Sequence, residues 1–276
     1  MSNRTLLSLF STPLWRLWAL LCVSVHLSAC GTPPTKYDET AGWSAQKIYA
    51  EAREEMRSGA WDRAIKLLET LEAKYPFGRY AQQAQIDIAY SHWKSNDLAS
   101  ALAACDRFAK LYPNHSHIDY VLYLKGLINF NEDQGILGKV SRQDPTERDN
   151  RAARDAFDTF KSLVARFPES KYADDASLRL RYLVNALAQY ELHVARYYVR
   201  RGALLAAANR AQYAITTYPN TPAQEEALYI MFKVYDSMGL NDLRDDARRV
   251  LDKNFPNSQI VKNDGVLSKD PWWKIW

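Results

Sequence analysis

Five times between residues 75 and 256 an aromatic residue is followed at once by proline: Tyr75-Pro76, Tyr112-Pro113, Phe167-Pro168, Tyr218-Pro219 and Phe255-Pro256. Proline removes a backbone donor and pushes the residue before it out of the helical region, so each pair marks the end of a helix. The prolines stand 37, 55, 51 and 37 residues apart, and other positions keep step with them. Ala64, Ala101, Ala156 and Ala207 lie twelve residues earlier, and Leu71, Phe108, Leu163, Ala214 and Leu251 five earlier. Seventeen earlier stand Gly59, Asn96, Gly202 and Gly239, types that accept the left-handed conformation in which helices often end. Each unit therefore reads as helix, tight turn, helix, proline stop. The small residues let the paired helices approach closely.

Over residues 43–256 this pattern resembles the tetratricopeptide repeat, a helical hairpin that cannot bury its apolar face alone and stacks into a superhelix. The expected fold is all-α, with five helix-turn-helix repeats and about ten helices. Two features depart from the family. The 37-residue period exceeds the usual 34 by nearly a turn of helix, and in the fifth unit Arg244 takes the small-residue position, with Ala247 replacing it in a shifted register. The third unit is 18 residues longer than 37, and residues 131–150, with Gly135, Gly138 and Pro145 among charges, read as a surface loop. The fourth is 14 residues longer, yet Leu180, Leu183, Leu187, Tyr190, Val194 and Tyr197 keep helical spacing. At 1.5 Å per residue the extra length adds roughly 21 Å to one helix, which is expected to project past its neighbours.

The chain opens with Arg4 and Arg16, an apolar run from Leu17 to Val25, and the small-residue site Leu27-Ser28-Ala29-Cys30. This resembles a bacterial lipoprotein signal, with residues 1–29 removed and Cys30 acylated by palmitate-type chains. More than one acyl chain makes such anchoring stable. In that class Gly31, rather than Asp, after the cysteine implies release to the inner leaflet of the outer membrane. An uncut anchor or an ordinary signal is the alternative. Residues 30–42 mix Pro, Gly, Thr and charge without periodicity and read as a flexible tether.

The whole chain carries 36 Lys and Arg against 32 Asp and Glu, and losing the two signal arginines leaves the balance nearly neutral. A concentrated basic face is missing, so nucleic acid is not an expected partner. Cys22 leaves with the signal and Cys30 is lipidated, so Cys105 stands alone and no disulfide is available. Cys105 sits four after Ala101, where sibling units carry Leu68, Phe160 and Ala211, and so reads as a buried packing thiol.

Catalytic signatures are missing: no Gly-rich phosphate loop, no nucleophile elbow, no HExxH. His115-Ser116-His117 lacks acidic or cysteine partners at ligand spacing and reads as a solvated turn. Asp174-Asp175 and Glu225-Glu226 open helices, where negative charge complements the dipole. The expectation is a non-enzymatic scaffold with no cofactor and no metal. Envelope hydrolysis has no acid/base pair to support it.

Three blocks carry a narrower resemblance: YPFGRYAQQAQIDIAY (Tyr75 to Tyr90), the Pro113 to Gly126 segment with IDYVLYLKG, and ARYYVRRGALLAAANRAQ (Ala195 to Gln212). With the Cys30 site they resemble the BamD family of outer-membrane β-barrel assembly lipoproteins. The resemblance implies a lipid-anchored scaffold on the periplasmic face of the outer membrane. Its implied partners are the BamA-type barrel subunit, other assembly lipoproteins and unfolded outer-membrane proteins. It further implies that Tyr197, Tyr198, Arg200, Arg201, Asn209 and Arg210 lie on or near the barrel-subunit side. Tyr75, Phe77, Tyr80, Gln83, Asp87 and Tyr90 would line an N-terminal substrate pocket. The alternative is a peptidoglycan-associated repeat lipoprotein that binds cell wall or its enzymes.

The tail, residues 257–276, closes on Asp270-Pro271-Trp272-Trp273-Lys274-Ile275-Trp276. Three tryptophans in five residues are costly to leave exposed. They are expected at the lipid headgroup boundary, on a neighbouring subunit, or in this protein's own substrate pocket.

Overall fold

The computed structural model describes residues 39–133 and 150–263. The chain divides into two units, Met1–Trp43 and Ser44–Trp276. In the first, residues 39–42 form a turn in which the Trp43 N–H donates to the Thr40 carbonyl at 3.0 Å. The Cys30 signal and most of the tether, the bulk of the 131–150 insertion and the tail beyond residue 263 lie outside the described residues.

The second unit holds eleven helices and, among the described residues, no strand. They are α1 (Ala45–Ser58), α2 (Trp61–Lys74), α3 (Arg79–Lys94), α4 (Leu98–Leu111), α5 (Ile118–Asp133) and α6 (Arg151–Arg166). After them come α7 (Ala173–Arg200), α8 (Leu204–Thr217), α9 (Ala223–Ser237), α10 (Asn241–Asn254) and the short α11 (Gln259–Lys262). The first ten pair as five hairpins, and each helix also packs on the next in sequence. The first helices of successive hairpins touch one another, α1 on α3, α3 on α5 and α7 on α9, so they form one layer and the second helices the other. The fold is tetratricopeptide-like.

Two kinds of punctuation build it. At the turns inside hairpins, Gly59, Asn96, Gly202 and Gly239 adopt φ of +81°, +65°, +72° and +70°. In each case the next N–H reaches back to close the helix: Ala60 to Glu55 O, Asp97 to His92 O, Ala203 to Tyr198 O and Leu240 to Tyr235 O, all at 2.9–3.0 Å. This satisfies carbonyls that would otherwise be orphaned at the helix end. Between hairpins, Tyr75, Tyr112, Phe167 and Phe255 cap helices at φ between −131° and −133°, with Tyr218 at −121°. The proline that follows holds each residue there.

The aligned alanines face the core: Ala64, Ala101, Ala156 and Ala207 are all fully buried. Ala247 is buried in the fifth hairpin while Arg244 turns outward, as the shifted register requires. Cys105 is buried, and burial pushes its thiol up to about 12. Gly126 of α5 lies flat against the fully buried Phe160 of α6, and a Cβ there would meet the Phe160 ring at 2.7 Å or less.

α7 corrects one expectation. Its 28 residues form a single helix, but the added length is not an overhang. Buried positions continue to Leu192 and Ala195, because α6 covers its earlier part and α8 and α9 its later part. Only the last turn and a half emerges, where Tyr197 and Val199 are 46% and 41% exposed.

Candidate functional site

The first three first-layer helices enclose a cavity of about 300 Å³, walled by Arg53 and Met56 of α1, Trp61 of α2, Asp87 and Tyr90 of α3, and Tyr120 of α5. Asp87 is only 5% exposed. Its carboxylate accepts the Tyr49 hydroxyl at 2.8 Å and the Gln83 amide at 3.2 Å, and Arg53 stands 3.5 Å away. Burial raises the Asp87 carboxyl above the usual carboxylate range, against the pull of those three partners. Burial, together with the Asp87 charge, likewise raises the Tyr49 hydroxyl. The site is therefore a sequestered carboxylate under an aromatic rim.

That rim is built of three groups of rings. The Tyr49 and Tyr80 rings lie 5.5 Å apart, and Tyr90 meets Trp61 and Trp93 edge-on at 6.0 Å each. Beyond Tyr120, Tyr172 stacks on Tyr123 at 4.7 Å, and the Tyr123 hydroxyl donates to Asp175, itself paired with Arg179. Aromatic faces over buried acceptors suit an apolar, aromatic-bearing chain segment, held by packing and by a few polar contacts.

Tyr80, Gln83, Asp87 and Tyr90 come together here because spacings of three and four residues put them on one face of α3. Tyr75 and Phe77 do not join them. Both lie in the turn before α3, with Phe77 91% exposed and Gly78 at φ +96°. Tyr49, Arg53, Met56 and Trp61 complete the site, and the sequence reading missed them.

At the other end of the layer, Tyr197 and Arg201 stand one turn apart, with the guanidinium 5.5 Å from the ring centroid. The Tyr198 ring lies 5.8 Å from that of Tyr197 and packs on the core. Arg200 points to the opposite side, toward α9, and Asn209 is exposed on α8. Arg210 has a definite partner: its Nη1 donates to Glu191 at 3.0 Å, while Arg154 of α6 donates to the other oxygen at 2.8 Å.

Residues 42–251 match the YfiO family, described as outer membrane lipoprotein. The chain is 48% identical over 262 residues to the outer membrane protein assembly factor BamD of Neisseria meningitidis serogroup B, covering 93% of this chain and 98% of the relative. The chain belongs to the BamD family. It is 38% identical to the BamD of Vibrio cholerae, over 85% of this chain and 96% of the relative. Among solved structures it is similar to a tetratricopeptide protein of Thermus thermophilus, at 14% identity and TM-score 0.34 over 81% of this chain and 97% of that one.

In this BamD-family chain Glu191 is the residue that sequence reasoning passed over entirely. It is fully buried in the middle of α7. The signal was there: an acid falling between Leu187, Ala188 and Leu192 on the apolar face. His115 packs against Phe108 at 5.2 Å, and its Nδ1 accepts the His117 N–H at 3.1 Å, which makes the His115-Ser116-His117 turn a structural one. Among the described residues no group of three or more His, Cys, Asp or Glu is placed to hold a metal.

Proposed function

We propose that this chain is a lipid-anchored scaffold of the outer-membrane β-barrel assembly machinery. It hangs from acylated Cys30 on the periplasmic side of the outer membrane and makes or breaks no covalent bond. The observation that carries this reading is the near full-length match to assembly factors named BamD. The end of α7 docks the BamA-type barrel subunit through Tyr197 and Arg201, with Tyr198, Arg200, Asn209 and Arg210 around them. The α1/α3/α5 cavity takes an aromatic-bearing segment of an unfolded outer-membrane protein.

Two features support the division of labour. Arg on an exposed aromatic presents a planar fork suited to a partner carboxylate. The cavity sets Met56, Trp61, Tyr90 and Tyr120 around a buried acceptor, with Arg53 and Arg57 in its wall, a mixed lining suited to a chain segment. Affinity purification of the full chain from membranes, with co-purifying outer-membrane proteins identified, tests the reading. Recovery of a barrel subunit is expected, and Arg201→Glu is expected to lower that recovery about tenfold by faster dissociation. Recovery of cell-wall enzymes and no barrel subunit would overturn it.

A further inference from the structure

A second groove, about 570 Å³, lies between the end of α7, the start of α8, α9 and α11. Its walls are mostly apolar, from Val199, Leu204, Tyr229, Ile230, Val234 and Ile260. Cations and one acid ring it: Arg196 donates to Glu226 at 2.6 Å, and Arg200 and Lys233 stand on the rim. A groove of this size is in the range of sites that hold several side chains, and a guanidinium at its edge is suited to lie over an indole face.

The chain itself leads away from this groove. Ile260 belongs to its wall and is 7% exposed, held against Leu228 and Tyr229 of α9, so α11 fixes the exit point. Asn263 is the last described residue, and nine positions on begins Trp272-Trp273-Lys274-Ile275-Trp276. Nine extended residues span about 30 Å, which lets this segment return to the groove with slack to spare. At helix spacings of about 8–10 Å, the α1/α3/α5 cavity is three first-layer helices away and leaves almost none. The neighbouring hollow on the other side of α11 also has apolar walls, from Pro222, Phe255, Pro256 and Ile260, but its charged lining is Glu225 and Glu226, with no cation to lie over an indole face.

We propose that the Trp272–Trp276 segment docks intramolecularly in the α7/α9/α11 groove. Its indoles pack on Val199, Tyr229 and Ile230, with Arg196 and Arg200 over their faces, and the Asp270 carboxylate meets those cations. A tether this short holds the segment at roughly millimolar local concentration, so even weak intrinsic binding fills the groove. A protein docking over Val199 and Arg200 must first displace the tail. The proposal holds whichever protein that is.

The test uses the full chain and a variant with Trp272, Trp273 and Trp276 each changed to Ser. A synthetic peptide of residues 269–276 is expected to bind the variant about tenfold tighter than the wild type, whose own tail competes. Adding Val199→Glu to the variant abolishes that binding, and this exposed position leaves the fold intact by circular dichroism. Hydrogen exchange in the triple variant speeds up over 196–204 and 229–237 and stays unchanged over 80–90. Equal peptide affinity for both chains overturns the proposal, as does faster exchange at α3 in place of α9. Wild-type protection that disappears on dilution places the tail in a second copy, and protection kept by the variant together with a co-purifying protein makes that protein the occupant. Either outcome overturns it too.

Discussion

Glu191 is a fully buried carboxylate with two guanidinium partners. Those guanidiniums come from α6 and α8, and the carboxylate from α7. Removing the acid takes from both cations their shared acceptor, whereas removing one cation leaves the other in place. Glu191→Ala is therefore expected to cost about 2–3 kcal/mol in urea unfolding, and Arg210→Ala clearly less, because Arg154 remains and both arginines are partly solvated. Asp87 behaves differently. Burial raises its carboxyl above the ordinary aspartate value of 3.8, so the folded state holds its proton where the unfolded state has released it. Stability contributed by Asp87 thus falls as pH rises from 3.8 to the raised value. Thermal melts across that window are expected to show Asp87→Asn gaining on the wild type with rising pH, since Asn keeps acceptors for Tyr49 without the charge. A flat difference would mean that Asp87 is not desolvated.

At the scale of helices, the close approach of α5 and α6 depends on a missing side chain. Gly126→Ala would drive a methyl into the Phe160 ring and is expected to cost about 1–3 kcal/mol, read as a lowered urea midpoint with unchanged slope. The helices themselves were legible in the sequence because their ends are set by local chemistry. A proline after an aromatic, and a Gly or Asn seventeen before, fix termini without help from distant residues. The candidate cavity was only half legible. The family resemblance pointed to Tyr80, Gln83, Asp87 and Tyr90, which share a face of α3, but Arg53, Met56 and Trp61 join them only through the angle at which the first hairpin stacks on the second. Phe77 was misplaced for a related reason: aromatic character is visible in a sequence, and the direction a turn gives it is not. The fate of the long helix hinged on the same ignorance of stacking, since nothing local told which neighbours would cover Leu192 and Ala195.

Among the second helices of the five hairpins, burial is least in the last. α2 buries Ala64, Ile65, Leu67, Leu68 and Leu71, while α10 buries Ala247 and Leu251 and leaves Leu243 and Val250 exposed. In a stack where each repeat touches only its neighbours, the end with the thinnest interface opens first. Native-state hydrogen exchange is expected to be fastest in α10 among the ten long helices, at least about tenfold faster than in α6 or α8, and this gradient should flatten when a partner covers that end. Comparable protection in α10 and α6 would contradict the gradient.

The middle of the stack escapes this gradient because α7 crosses it. Its first turn holds Asp175, tied to Tyr123 beside the aromatic rim, and its last turn holds Tyr197 and Arg201. Twenty-eight residues of continuous helix make a rod of about 42 Å with no joint in it. Flexible stacks accommodate a guest by small rotations between repeats, shared out evenly. Here a splint runs across the third and fourth repeats, so bending is confined to either side of it, and whatever grips one tip of the rod sets the pose of the other.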